Sequence, residues 1–310
     1  MKRLLIFLVM TIFLCAAFVA IKNEYARCLP SSGTGMSEVI ETKVIDHLFI
    51  GSSTFRKGLD IEELEKLGGY SYILSYNGNE PALIQMELAY LLEQGVQIRN
   101  LYVDYYPFTA ASRVSLSDTR LLLDTDTKFK IELWERLKSS GGKSSSLYEL
   151  FVSANNALVL WWPAYITVNR SRNRHGGLIG MKKNHGTTKV RLDARPLFGK
   201  RDGLQEAQLA AFRRIAEMAD EHGMRLYFLE IPKYSRLSNN SDYIELRAGM
   251  DSELSAVSGR IIHAADMDFD DNNPDYFTDL VHLSGIGANT YTKALMANLA
   301  AEVPRLDEAE

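Results

Sequence analysis

From Thr42 to Val303 short apolar runs alternate with helix-length segments, and that alternation restricts the chain to a parallel sheet covered by helices. Val44 to Ile50 reads as the first strand and is followed by Gly51-Ser52-Ser53. One helix is then expected through Leu59, Ile61, Leu64 and Leu67, ending at Gly68-Gly69. Tyr72 to Ser75 is a second strand that runs into the turn-rich Tyr76-Asn77-Gly78-Asn79-Glu80-Pro81. A helix from Ala82 to Gln94 leads to a third strand, Gln97 to Val103, which ends at Asp104. After Leu204 the pattern resumes. Leu209, Phe212, Ile215 and Met218 share a helix face stopped by Gly223, and Leu226 to Ile231 is a fourth strand ended by Pro232. A helix from Asp242 to Ala256, a fifth strand from Arg260 to Ala265 and a last helix from Gly285 to Ala301 complete the body.

The pattern is interrupted over residues 108–203, which read as a helical insertion. Two long helices are expected there, Ser117 to Lys138 and Ser146 to Val168, followed by a polar, Gly- and Arg-rich stretch. At the other end, Lys2 and Arg3 precede an apolar run from Leu4 to Ile21, long enough to cross a bilayer with some thinning or snorkelling. The charge bias keeps Lys2 and Arg3 in the cytoplasm and places the remainder outside it. A cleaved signal peptide is the competing reading of residues 1–22. No small-x-small site follows Ala17-Phe18-Val19-Ala20, so an uncleaved anchor is the expectation. Residues 23–41, with Pro30-Ser31-Ser32-Gly33, read as a flexible stalk, and the folded domain as 42–310. Cys15 and Cys28 stand in or beside the apolar run, so the exported body is expected to carry no disulfide.

A formal net charge of -4 on 310 residues argues for no nucleic-acid partner. The chemistry must be sought locally. Ligands of open parallel sheets bind outside the carboxyl ends of the strands. Ser53 follows strand one, Asn77 to Asn79 follow strand two, Asp104 ends strand three, and Asp279 and His282 follow strand five. These positions converge on one edge. Gly-Ser-Ser alone is an ordinary turn, and Asp279 to Ser284 alone is an ordinary approach to a helix cap. Together they supply a nucleophile, a base and the group that orients the base. His282 would take the proton of Ser53, and Asp279 would hold the imidazole. The Ser53 N–H, with N–H groups of Ser75 or Gly78, would face an oxyanion, and Asn77 and Asn79 could add side-chain donors.

Gly51-Ser52-Ser53 after a strand, with Asp279-x-x-His282-Leu283-Ser284-x-x-Gly287 before a terminal helix, resembles the SGNH (GDSL-like) hydrolase superfamily. The anchor and the Gly-Ser-Ser form look like its exported members that assist polysaccharide and teichoic-acid acylation, the D-alanyl-lipoteichoic acid biosynthesis protein and the alginate O-acetylation proteins. The resemblance spans about Thr42 to Val103 and Leu204 to Val303. It implies a three-layer, flavodoxin-like, doubly wound sheet of five parallel strands, with Ser53, Asp279 and His282 as the catalytic triad. It also implies an extracytoplasmic esterase or O-acyltransferase that acts on an acylated glycan or lipid-linked substrate beside a membrane-bound O-acyltransferase. A scaffold of the same fold that has lost the chemistry and positions the acyltransferase is the alternative. The sequence departs from the family at three places. Ser52 replaces the usual Asp before the nucleophile, and Ser75 replaces a Gly. Val103-Asp104-Tyr105-Tyr106-Pro107 stands where Gly-x-Asn-Asp is customary. A charged Asp104 beside an oxyanion would oppose catalysis.

Arg170, Arg172, Arg174, His175, Lys182, Lys183 and His185 form a basic stretch that reads as a solvated loop, and Trp161-Trp162 as helix core. Neither His175 nor His185 has zinc-like partner spacing, so no metal and no cofactor is expected.

Overall fold

A computed structural model describes residues 35–118, 121, 125–139, 173–178 and 203–300, with positions 7, 9–14 and 17 near the amino terminus. Five strands form one parallel sheet: β1 (Val44–Gly51), β2 (Ser71–Ser75), β3 (Gln97–Asp104), β4 (Arg225–Leu229) and β5 (Arg260–Ile262). Their spatial order is β2-β1-β3-β4-β5. The direction of winding therefore reverses between β1 and β3, where a crevice opens at the carboxyl edge.

Side chains alternate across the sheet. In β1, Leu48 and Ile50 enter one core layer and Phe49 the other; in β3, Leu101 and Val103 oppose Tyr102. Continuous burial of both faces explains why the strands read as unbroken apolar runs. Rings stack across three strands, Phe49 on Tyr102 at 4.2 Å and Tyr102 on Tyr227 at 4.8 Å. Each contact contributes about 0.5–1.5 kcal/mol beyond its buried area.

One layer holds α1 (Met36–Thr42), followed after the first two strands by α4 (Pro81–Glu93), then α5 (Thr127–Ser139) and α6 (Glu206–Glu221). The opposite layer is built on α2 (Ser53–Gly58), α3 (Ile61–Leu64) and the final helix α8 (Gly285–Ala300). Helix α7 (Ser241–Leu254) closes the β5 side and contributes Tyr243 to one layer and Met250 to the other.

Several expectations need correction. The helix after Ser53 breaks at Asp60, whose carboxylate accepts from Glu62 N (3.0 Å) and whose own N–H donates to Thr292 Oγ1 (2.9 Å). Asn289 donates to both Asp60 Oδ2 (2.6 Å) and Glu63 Oε1 (3.2 Å), so α8 sets the break. The first insertion helix begins at Thr127 rather than Ser117, because Asp126 caps it by accepting from Phe129 N at 2.8 Å. Strand β5 stops at Ile262, where a 3-10 turn over Ala264–Asp266 takes over. Packed structure also reaches back to Met36, inside the segment that composition assigns to a stalk, since Met36 and Val39 are fully buried.

The expected helix Ser146 to Val168 and Trp161-Trp162 lie outside the described residues. Of the polar stretch, a two-residue hairpin over Asn173–Arg174 and Gly177–Leu178 is described. It covers the outer edge of β2, where Ile73 N donates to His175 O at 2.9 Å. The expected membrane helix falls largely outside the described residues. Among the described residues no helix is long and apolar enough to cross a membrane.

Candidate active site

Strand β1 delivers Gly51 to the crevice, and Ser52 leaves it with an extended backbone that caps α2, accepting from Thr54 N at 3.3 Å. Ser53 is therefore the first residue of the helix and stands partly exposed at the rim. Asp104, at the end of β3, holds this turn. Its Oδ2 accepts from Ser52 N (3.0 Å), Ser52 Oγ (2.6 Å) and Thr54 Oγ1 (2.7 Å). Charged hydrogen bonds of this kind are about twice as strong as neutral ones. A Cβ at position 51 would lie 2.4 Å from the Asp104 Cβ, so glycine is what lets the two strands' ends approach.

The second half of the site comes from the loop before α8. Phe277, Leu280 and Leu283 are buried and fix the loop to the core, and Phe277 bridges Leu283. Ser284 closes it by donating to Asp275 O at 2.6 Å and accepting from Gly287 N at 3.1 Å. With those anchors pointing inward, Asp279 and His282 are left at the rim.

Ser53 Oγ lies 2.9 Å from His282 Nε2, and His282 Nδ1 lies 2.8 Å from Asp279 Oδ2 and 3.1 Å from Oδ1. With Nδ1 protonated toward the carboxylate, the network assigns Nε2 a lone pair that faces the Ser53 hydroxyl. Asp279 Oδ1 also accepts from Val281 N and His282 N, both at 2.8 Å. Burial pushes the Asp279 carboxyl up. The hydrogen bond and charge of His282, with the two backbone N–H groups, outweigh it and hold the carboxyl at about 2.

The loop after β2 is arranged differently from the expectation. Asn79 is buried and turned inward: its Nδ2 donates to Gly51 O (3.3 Å) and Glu87 Oε2 (3.1 Å), so it offers no donor to the rim. Burial pushes the Glu87 carboxyl well up, against that hydrogen bond. The Asn77 N–H is spent on Asp118 Oδ2 at 2.8 Å, and Asn77 Oδ1 accepts from Arg56 Nη2 at 3.3 Å. Ser75 pairs with Gly51 inside the sheet and is buried. Gly78, at φ +61, sits at the loop tip, and neither its N–H nor that of Ser53 has an acceptor among the described residues. Asp104, far from donating, is an acceptor that shapes the turn.

Sequence reasoning missed Lys233. It follows β4, is buried, and places Nζ 4.5 Å above the Tyr106 ring. Burial pushes its amine down to about 8 in spite of Asp104, Glu230 and Asp279. Pro232-Lys233-Tyr234 reads as a strand terminator, and nothing local marks the lysine as buried. Among the described residues no group of three His, Cys, Asp or Glu side chains could hold a metal ion.

No family model matches the chain, and no curated protein matches it. Among solved structures, similarity extends to one described as "a putative platelet activating factor from Streptococcus pneumonia", at 13% identity and a TM-score of 0.43, covering 94% of this chain and 99% of that one. Similarity at that level assigns neither activity nor substrate.

Proposed function

We propose that the chain forms and resolves an acyl ester on Ser53, as an esterase or O-acyltransferase of SGNH type. The observation that carries the reading is the unbroken line from Ser53 Oγ through His282 to Asp279, with steps of 2.9 and 2.8 Å. The Ser53 proton moves to His282 Nε2 as Oγ bonds to the ester carbonyl carbon. The carbonyl oxygen takes the negative charge and is met by the Ser53 and Gly78 N–H groups. The tetrahedral centre then expels its alkoxy group, which leaves as the alcohol with the proton from Nε2. Water or a second hydroxyl next gives its proton to Nε2 as it attacks the acyl carbon, and that centre expels Ser53 Oγ, which takes the proton back from Nε2 as the acyl product leaves. Asp279 stabilises the imidazolium throughout and stays ionised.

The substrate class we infer is an acylated glycan or lipid-linked glycan of the cell envelope, handled outside the cytoplasm beside a membrane-bound O-acyltransferase. The motif resemblance and the apolar run after Lys2-Arg3 support this finer part. The full-length chain, purified in detergent, should be treated with a fluorophosphonate probe. The enzyme reading expects labelling that vanishes in Ser53→Ala and falls steeply in His282→Ala. A folded wild-type chain that takes no label is the outcome that leaves a scaffold role instead.

A further inference from the structure

The acyl-serine reading, on which this inference rests, faces an electrostatic objection inside its own site. Asp104 is a buried carboxylate within hydrogen-bond reach of both neighbours of the nucleophile. A negative charge there opposes both the loss of the Ser53 proton and the build-up of an oxyanion. Its Oδ2 is saturated by three donors, while Oδ1 is buried and has no hydrogen-bond partner among the described residues. Lys233 Nζ is the complementary orphan: buried, with no hydrogen-bond partner among the described residues, and held only over the Tyr106 ring.

Asp104 ends β3 and pairs with Leu229, the last residue of β4, while Lys233 lies four residues beyond Leu229 with its Nζ over Tyr106, two residues past Asp104. A buried ammonium without hydrogen bonds is expensive, and its presence calls for a compensating charge. The charged groups that act on it are Asp104 from β3, Glu230 from the end of β4 and Asp279 from the loop before α8. Glu230 is already engaged by Tyr243, His263, Arg247 and Ala264 N. Asp279 is engaged by His282 and two backbone N–H groups. Of the three, Asp104 is the carboxylate with a buried oxygen, Oδ1, that has no hydrogen-bond partner among the described residues.

We propose that Lys233 is a positioning residue whose buried ammonium is the counter-charge of Asp104, offsetting that carboxylate's field at Ser53 while the carboxylate holds the Ser52-Ser53-Thr54 turn. It touches neither the nucleophile nor, being buried, a substrate. The arrangement would let an acidic residue stand where a neutral donor is customary without silencing the serine.

The test is a cycle of four full-length chains: wild type, Lys233→Met, Asp104→Asn and the double variant. Each is measured for its Ser53 labelling rate across pH and for its denaturant midpoint. Lys233→Met should label at least about tenfold more slowly, because an uncompensated charge remains beside the nucleophile. Adding Asp104→Asn should restore most of that rate, and the two stability changes should fail to add. A double variant as slow as Lys233→Met, with additive midpoints, overturns the pairing. If wild type takes no label, the acyl reading fails and the stability cycle alone judges the pairing, coupling for it and additivity against it. Should Lys233→Met not fold, folding of the double variant supports the pairing and its failure to fold overturns it.

Discussion

Ser53 Oγ and His282 Nε2 meet at 2.9 Å although 229 positions separate them. The contact needs β1 to end at the crevice and α8 to dock on α2 and α3, so it reports the whole arrangement of that layer. Asp279, by contrast, reaches His282 within its own turn. If this line is a proton path, Asp279→Asn should cut the labelling rate by about a thousandfold or more, because the amide favours the wrong imidazole tautomer. Combining it with His282→Ala should add little to the loss in His282→Ala, since the two act as one unit.

The same carboxylate has a signature in acid. Its folded value of about 2 lies below the ordinary 3.8, so its stabilising effect is complete above 3.8 and disappears as pH falls through about 2. Acid titration of stability should therefore show wild type losing more than Asp279→Asn over that window.

Asp104→Ala should cost about 3 kcal/mol or more, because it leaves the Ser52 N–H and two buried hydroxyls without their shared acceptor. Gly51→Ala strikes the same joint from the other strand, with its Cβ forced to 2.4 Å from the Asp104 Cβ. Urea midpoints should fall in both, and the fluorophosphonate rate with them, while secondary structure measured by circular dichroism stays close to wild type.

Lys233 has a folded value of about 8, below the usual 10.5, so charging it works against folding. The penalty is present in full below about 8 and fades as pH rises toward 10.5. Unfolding free energy of wild type relative to Lys233→Met should rise across that window, by an amount on the order of 3 kcal/mol.

Gly176→Ala should release the hairpin from β2, since its Cβ would sit 1.9 Å from Ile73 O at a φ of +76. Hydrogen exchange at the Ile73 amide, which donates to His175 O, is the readout. Faster exchange there with a global midpoint close to wild type is expected; unchanged exchange sinks the idea that the hairpin guards this edge.

The sheet was legible because its strands are buried on both faces and bounded by turn residues, so each shows as an apolar run. Ser53 was legible because it directly follows the first strand, and Asp279 and His282 because their short spacing stands just before the last helix. What escaped the sequence depends on distant partners. Asp60 breaks a continuous apolar period only because Thr292 and Asn289 reach it from α8. Asn79 looks like a rim donor until Glu87 and Gly51 claim its amide. Helix α1 had a signal that could have been found, since Met36, Val39 and Ile40 recur at helical spacing on the face that meets the core. For Lys233, only the tertiary burial reveals it.

The loop before α8 carries His282 and Asp279 as one short, self-bonded unit, whereas the Ser53 hydroxyl arrives just after the first strand of the sheet. If Ser53 is the proposed nucleophile, a chain still emerging from synthesis holds it without its imidazole partner until the final helix is made and seated. Reactivity toward a phosphonate should accordingly be among the last properties to appear during refolding, which turns the label into a clock for completion of the native state.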